Sequence, residues 1–208
     1  DCDLVFLALP HGASAELAKQ IGSNTKIVDL GADFRLENAS DWESYYKDAP
    51  AHAGTWVYGL SEIVGEGKIS NADRVANPGC YATAIALGAL PMLTYVQAED
   101  LVVVAASGTS GAGRSANEKL LATELIGSVS SYKTGGVHQH TPEIEQTLRN
   151  ATGLDVKISF TPLLAPMVRG IHATITGKIK TSMQIEELRK AYESKYQNSK
   201  FVTLLSGS

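Results

Sequence analysis

Leu4-Val5-Phe6-Leu7-Ala8-Leu9 runs apolar without interruption until Pro10-His11-Gly12 breaks it. A short continuous run of this kind predicts a strand buried on both faces of a parallel sheet. Ser14 is placed to cap a short helix over residues 15–20. Lys26-Ile27-Val28-Asp29-Leu30 is a second such strand, and residues 31–36 turn away from its carboxyl end. This β-α-β alternation predicts a doubly wound α/β sheet.

Residues 37–70 are mixed, with Trp42, Tyr45, Tyr46, Trp56 and Tyr58 in a Pro/Gly/Ser background, and predict loops and short helices. Arg74-Val75-Ala76-Asn77 reads as a strand that enters a Pro-Gly turn. Residues 80–93 turn to Ala, Leu, Ile and Met, which predicts a buried helix, and residues 101–106 are a β-branched strand. Thr141 and Pro142 mark a helix start as N-cap and N1. Residues 157–161 and 170–179 read as strands, the second alternating. Ser182 is expected to cap a helix from 183 to about 196, with Glu186 and Lys190 spaced for an i,i+4 pair. The domain boundary is expected near residues 76–80: residues 1–78 as part of a Rossmann-type unit, residues 79–208 as an α+β unit.

The chain has 208 residues, 44% hydrophobic and 19% charged, with a net charge of -4, so it is suited to a globular fold and not to nucleic acid or an anionic membrane. No apolar run approaches the roughly 20 residues of a spanning helix. Cys2 and Cys80 lie far apart and make no disulfide framework, which favours reduced, cytoplasmic thiols. With Asp1-Cys2-Asp3 directly before a strand and a close on Leu204-Leu205-Ser206-Gly207-Ser208, the chain reads as an internal piece of a longer polypeptide.

Four segments hold residue types suited to chemistry. Cys80 follows Asn77-Pro78-Gly79 at the first turn of an apolar helix. A helix N-terminus lowers a thiol pKa, and its N–H groups receive a developing oxyanion. The alternative is a buried structural cysteine; Cys2 lacks that context. In Gly135-Gly136-Val137-His138-Gln139-His140-Thr141-Pro142-Glu143, two histidines one residue apart share a face if the segment is extended. Near a helix N-terminus a histidine tends to stay neutral, which suits a general base. A metal site is the rival, without further His or Cys ligands nearby, and a structural role for one of the two is a third option. Ser107-Gly108-Thr109-Ser110-Gly111-Ala112-Gly113-Arg114 is either a phosphate-binding loop, with Arg114 as a charged fork, or a plain turn. It lacks the Walker A and dinucleotide spacings. Arg169, between a two-proline segment and a strand, is either an anion ligand or a surface residue.

Taken in order, Phe6-Leu7-Ala8-Leu9-Pro10-His11-Gly12, Asp29-Leu30-Gly31-Ala32-Asp33-Phe34-Arg35, Tyr58-Gly59-Leu60-Ser61-Glu62, Asn77-Pro78-Gly79-Cys80-Tyr81-Ala82-Thr83, the Ser107–Arg114 loop, His138-Gln139-His140-Thr141-Pro142-Glu143 and Pro166-Met167-Val168-Arg169-Gly170 resemble the N-acetyl-γ-glutamyl-phosphate reductases. These are arginine-pathway relatives of aspartate-semialdehyde dehydrogenase. The resemblance implies an incomplete Rossmann-type doubly wound sheet followed by a dehydrogenase catalytic domain. It also implies NADPH-dependent reduction of an acyl phosphate through a Cys80 thioester, with His138 or His140 as acid–base. By the same resemblance Pro10, His11, Gly12, Ser107, Gly108 and Gly111 line the NADP site, and Asn77, Arg114 and Arg169 bind substrate phosphate or carboxylate. No resident metal is implied; the assembly implied is a cytoplasmic homodimer or homotetramer. The family's Gly-rich phosphate fingerprint falls outside this sequence, and Gln139 stands where the resemblance leads one to expect Arg.

Three other functions fit some of these residues. A paralogue would act on N-acetyl-aminoadipyl or aspartyl phosphate, since one methylene discriminates by only about 1–3 kcal/mol. A cofactor-free thiol hydrolase or acyltransferase would use Cys80 and a histidine alone. A non-catalytic fragment or assembly subunit would fold only with partner segments.

Overall fold

The computed structural model describes residues 2–112, 118, 121–180 and 182–206. The chain divides into two compact units, Asp1–Gly79 and Cys80–Ser208.

In the first unit, β1 (Leu4–Leu7) is followed by α1 (Ala13–Ala18), β2 (Lys26–Asp29), α2 (Ala39–Tyr45), β3 (Val57–Tyr58), α3 (Ser61–Val64), α4 (Glu66–Ser70) and β4 (Arg74–Ala76). The strands form one parallel sheet in the order β1-β2-β4-β3. Its apolar interior includes Ile27, Phe34, Val75 and Ala76, with Phe34 stacked on Trp56 at 3.6 Å between ring centroids. A second cluster joins Leu36, Trp42 and Tyr46. β1 departs from expectation. It is an edge strand, and Leu4 and Phe6 are 45% and 62% exposed, because β2 is its only neighbour among the described residues.

Ser14 does not cap α1 either. It lies inside the helix, buried, and its hydroxyl donates to Asp29 Oδ1 at 2.7 Å. Gly12 takes the N-cap position at φ 87°, a left-handed conformation that disfavours a Cβ. The orphan N–H groups of Gly12 and Ala15 find an acceptor 18 or more residues away, on the two oxygens of buried Asp33, at 2.7 and 2.9 Å. A carboxylate there also suits the positive end of the helix.

The second unit runs α5 (Cys80–Ala89), a 3-10 turn (Leu90–Met92), β5 (Val96–Ser107), a second 3-10 turn (Thr109–Ala112), α6 (Ala122–Leu125), β6 (Ser130–Ser131), α7 (His140–Thr152), β7 (Ile158–Leu164), β8 (Ile171–Ile179) and α8 (Ile185–Tyr196). Its sheet order is β6-β7-β5-β8, with β5 parallel to β7 and antiparallel to β8. α5 packs against α7 and β8. Ile85, Leu93, Leu101, Ile144 and Leu148 are almost fully withdrawn from water; each such side chain contributes about 1.5–3 kcal/mol. The hydroxyls of Tyr192 and Tyr196, on α8, donate to the carbonyls of Gly88 and Leu87 at 2.5 and 2.6 Å. They satisfy carbonyls that the last turn of α5 leaves without helical partners. On the sheet, Val102 and Val104 of β5 are 45% and 40% exposed.

Several local expectations shift in this unit. The helix expected over 80–93 stops at Ala89, where Pro91 forces a 3-10 turn. β5 begins at Val96, and β7 continues through Pro162, whose carbonyl accepts the Tyr132 N–H at 3.2 Å. α7 starts at His140, so Thr141 lies inside the helix, not at its cap. α8 is capped by Gln184 in a reciprocal box with Glu187, not by Ser182, and carries an ion pair between Arg189 and Glu193.

Candidate active site

Cys80 is the first residue of α5 and is exposed, outside any disulfide. α5 is ten residues long and apolar, so its N-terminal N–H groups and dipole act on the thiol from the first turn. The next residue, Tyr81, is 2% exposed and anchors this turn. Its ring meets Phe160 at 5.1 Å, His138 at 5.3 Å and His140 at 6.0 Å, all edge-to-face. Tyr132 closes the cluster at 5.7 Å from His138.

The hydroxyls of this cage are ordered. Tyr81 donates to the Leu163 carbonyl at 3.0 Å and accepts from Tyr132 at 2.9 Å. Burial raises the Tyr81 pKa most, and the charge of Cys80 raises it further. Tyr132 is raised by burial, by Tyr81 and by Cys80. Both phenols therefore stay protonated at neutral pH, close enough to the thiol to feel its charge.

The two histidines are not equivalent. Their rings lie 4.9 Å apart at 71° although the segment between them is turned, not extended. His138 is buried, and its Nδ1 accepts the backbone N–H of His140 at 3.1 Å. That bond assigns the neutral tautomer with hydrogen on Nε2. Burial first, then the charges of His140 and Lys133, push its pKa down to about 3. His138 is thus a neutral ring at any physiological pH, chiefly through desolvation and not through the helix end. His140, half-buried, opens α7.

The glycine loop is held differently from a phosphate cradle. The N–H groups of Gly108, Thr109 and Ser110 bond to the carbonyls of Gly170, Met167 and Val168 at 2.9, 2.9 and 3.1 Å, and that of Gly111 bonds to Gly108. A Cβ on Gly108 would stand 2.6 Å from the backbone of Arg169. The two segments are zipped together, which leaves glycine faces, not N–H donors, for a ligand. Ser107 is buried, and its hydroxyl donates to the Gly108 carbonyl. The Arg169 side chain is exposed. Arg114 lies outside the described residues.

In the first unit Pro10, His11 and Gly12 follow β1, and Asn77 follows β4, at the carboxyl ends of parallel strands where such sheets receive nucleotides. His11 is exposed and its ring meets Tyr46 at 5.1 Å. The Asn77 carbonyl accepts from Arg35 Nε at 2.8 Å. The Gly12 N–H is taken by Asp33, and the Pro50 ring packs where a Gly12 Cβ would stand, so Gly12 itself is buried.

The family profile described as "Semialdehyde dehydrogenase, dimerisation domain" matches residues 80–208. The chain belongs to the semialdehyde dehydrogenase family. The "Semialdehyde dehydrogenase, NAD binding domain" profile matches residues 1–72. Among relatives, proteins named N-acetyl-gamma-glutamyl-phosphate reductase from Arthrobacter sp. (strain FB24) and Acidothermus cellulolyticus are 52% and 50% identical, over 98% and 99% of this chain and 60% of each relative. The chain thus spans about three fifths of the length of these curated relatives. The fold resembles that of aspartate semialdehyde dehydrogenase II complexed with ASA from Vibrio cholerae, with a TM-score of 0.69 at 12% identity, covering 99% of this chain and 62% of that one. It also resembles aspartate semialdehyde dehydrogenase from Francisella tularensis, with a TM-score of 0.66 at 13% identity, covering 93% and 63%. Among the described residues of this semialdehyde dehydrogenase chain, no helix is long and apolar enough to cross a membrane.

The structure gathers Cys80, His138 and His140 within one unit. Tyr81, Tyr132, Phe160 and Lys133 join them without having been singled out by sequence reasoning. Tyr81 had a signal, its place directly after Cys80; the other three did not.

Proposed function

We propose that the protein containing this chain is an N-acetyl-γ-glutamyl-phosphate reductase, which forms N-acetylglutamate semialdehyde with NADPH as the hydride donor in arginine biosynthesis. The observation that carries this function is an exposed thiol at the first position of an apolar helix, its neighbour Tyr81 enclosed by a histidine pair. The names of relatives about half identical over nearly the whole chain support it.

In this function the Cys80 thiolate forms a C–S bond to the γ-carbonyl carbon, and the C–O bond to phosphate breaks. The helix N-terminus stabilises both the thiolate and the oxyanion formed on attack. A nicotinamide cofactor, when bound, would supply the hydride that reduces the thioester carbonyl. His140 holds the proton that neutralises the oxyanion and takes it back as the aldehyde forms and the C–S bond breaks. His138, with its lone pair bonded to the main chain, positions His140 and carries no proton in the cycle. Arg169 and Arg114 are assigned to phosphate or carboxylate, Asn77 to substrate, and Pro10, His11, Gly12, Ser107, Gly108 and Gly111 to contact with the cofactor.

The assembly we assign is a cytoplasmic homodimer or homotetramer, supported by the dimerisation-domain match and by Val102 and Val104 exposed on the second sheet.

The test is reduction of NADP by the intact protein in the presence of phosphate and N-acetylglutamate semialdehyde, run beside NAD and the aspartyl and aminoadipyl homologues. Cys80→Ser is expected to abolish turnover while NADPH binding stays almost intact. Ester hydrolysis by Cys80 without cofactor would replace this function with a thiol hydrolase, and turnover by Cys80→Ser would sink the thioester.

A further inference from the structure

Lys133 stands beside the site yet belongs to none of the segments that sequence reasoning selected. Its Nζ donates to Oε1 of Gln139 at 2.6 Å, and Gln139 separates the two site histidines. The ammonium is thereby held over the His138–His140 turn, and its charge reaches His138, whose protonation it opposes. An ammonium has three hydrogens, and this contact uses one. Among the described residues no carboxylate pairs with it; Glu16, Glu145 and Glu193 are engaged by Lys19, Lys157 and Arg189. Partial desolvation lowers its pKa, and no anion among the described residues offsets that shift.

The backbone adds a second, independent sign. Lys133 has φ 44°, and no other non-glycine residue among those described has a positive φ. Gly135 and Gly136 follow at φ 79° each. A lysine in this region is strained relative to glycine, and such strain concentrates at functional sites. The strained turn aims the side chain at Gln139.

We propose that Lys133 binds the oxyanion of the acyl-phosphate substrate, either its phosphate group or its carboxylate, next to the histidine pair. The inference rests on the reductase function above and extends it by a binding residue. It also explains Gln139, which has no cation of its own and hydrogen-bonds one supplied from six residues upstream.

Two measurements test it. In the oxidative direction Lys133→Met is expected to raise KM roughly ten- to hundredfold, the worth of a hydrogen bond to a charged group, with kcat nearly unchanged. A rise in KM for inorganic phosphate identifies the phosphate group as the ligand, a rise for the semialdehyde identifies the carboxylate, and Lys133→Arg restores either. Lys133→Gly, which relieves the positive φ, is expected to bind as weakly as Lys133→Met. The second measurement needs no turnover: inorganic phosphate or N-acetylglutamate should slow alkylation of Cys80 by iodoacetamide in the unmodified protein and fail to do so in Lys133→Met. If turnover is absent but protection depends on Lys133, the reductase function falls and the anion site stands. If turnover is normal and neither KM nor protection moves, the anion site is overturned and the reductase function stands.

Discussion

The hydroxyl of Tyr132 donates to the hydroxyl of Tyr81 at 2.9 Å. Tyr81 has one hydrogen, and it goes to the Leu163 carbonyl at 3.0 Å, so the direction of the chain is fixed. Loss of the middle hydroxyl therefore removes both of these bonds and its contact with the Ser107 hydroxyl, whereas loss of the outer one removes a single bond. Tyr81→Phe is expected to lower stability by about 1–3 kcal/mol and Tyr132→Phe by about 1 kcal/mol. Thermal midpoints of the two variants decide it, and equal losses would contradict the directional chain.

The pH dependence of stability carries the mark of His138. Its pKa is about 3 in the fold against 6.5 for the ordinary side chain. Between those values the unfolded chain takes up a proton that the folded ring refuses, so stability falls as pH drops through this window and not above it. At pH 5 the loss is about 2 kcal/mol relative to pH 8. Urea titrations at both pH values should show it, and His138→Gln should lack this component. An unchanged difference in the variant would place the effect elsewhere.

Gly108 and Gly67 should respond to alanine in opposite directions. A Cβ at Gly108 meets the Arg169 backbone at 2.6 Å, whereas one at Gly67, in α4, meets nothing within 4 Å. Gly108→Ala is expected to cost about 1–3 kcal/mol, and Gly67→Ala to be neutral or to stabilise by up to about 1 kcal/mol. Denaturation midpoints of the pair give the comparison.

Cys2 and Cys80 are both exposed, so alkylation rates compare thiolate content and not access. Iodoacetamide should label Cys80 many times faster at pH 7, read by mass spectrometry of the two peptides. Equal labelling would show that the N-terminus of α5 does not activate its thiol.

The sequence shows the longer sheet strands, because the apolar run of residues 4–7 and the Ile27-Val28 pair survive in β1 and β2, while the two-residue strands β3 and β6 leave no such run. It shows helix starts poorly. Ser14 looks like a cap, but the acceptors for the first N–H groups of α1 come from Asp33, which only the folded sheet brings near. Thr141 fails for a related reason, since the His138 ring occupies the role of a capping side chain towards His140. Cys80 and the two histidines stand out in the sequence because glycine, proline and helix punctuation surround them. The ring cage was not: Tyr81, Tyr132 and Phe160 converge from α5, the segment after β6, and β7, and no local spacing encodes that meeting. β1 misled in another way, since an apolar run fixes what a strand could bury, not whether a neighbour covers it.

One bond between neighbours in the histidine motif has a wider meaning. His-x-His looks like a chelate, two soft nitrogens one step apart. Here the first imidazole has already given its only lone pair to a main-chain N–H, and its other nitrogen bears hydrogen. In this tautomer it has no lone pair left to offer a divalent cation, and any such ion would first have to break its bond to the His140 N–H. The motif that resembles a pincer is a hinge pin for the ring that follows it.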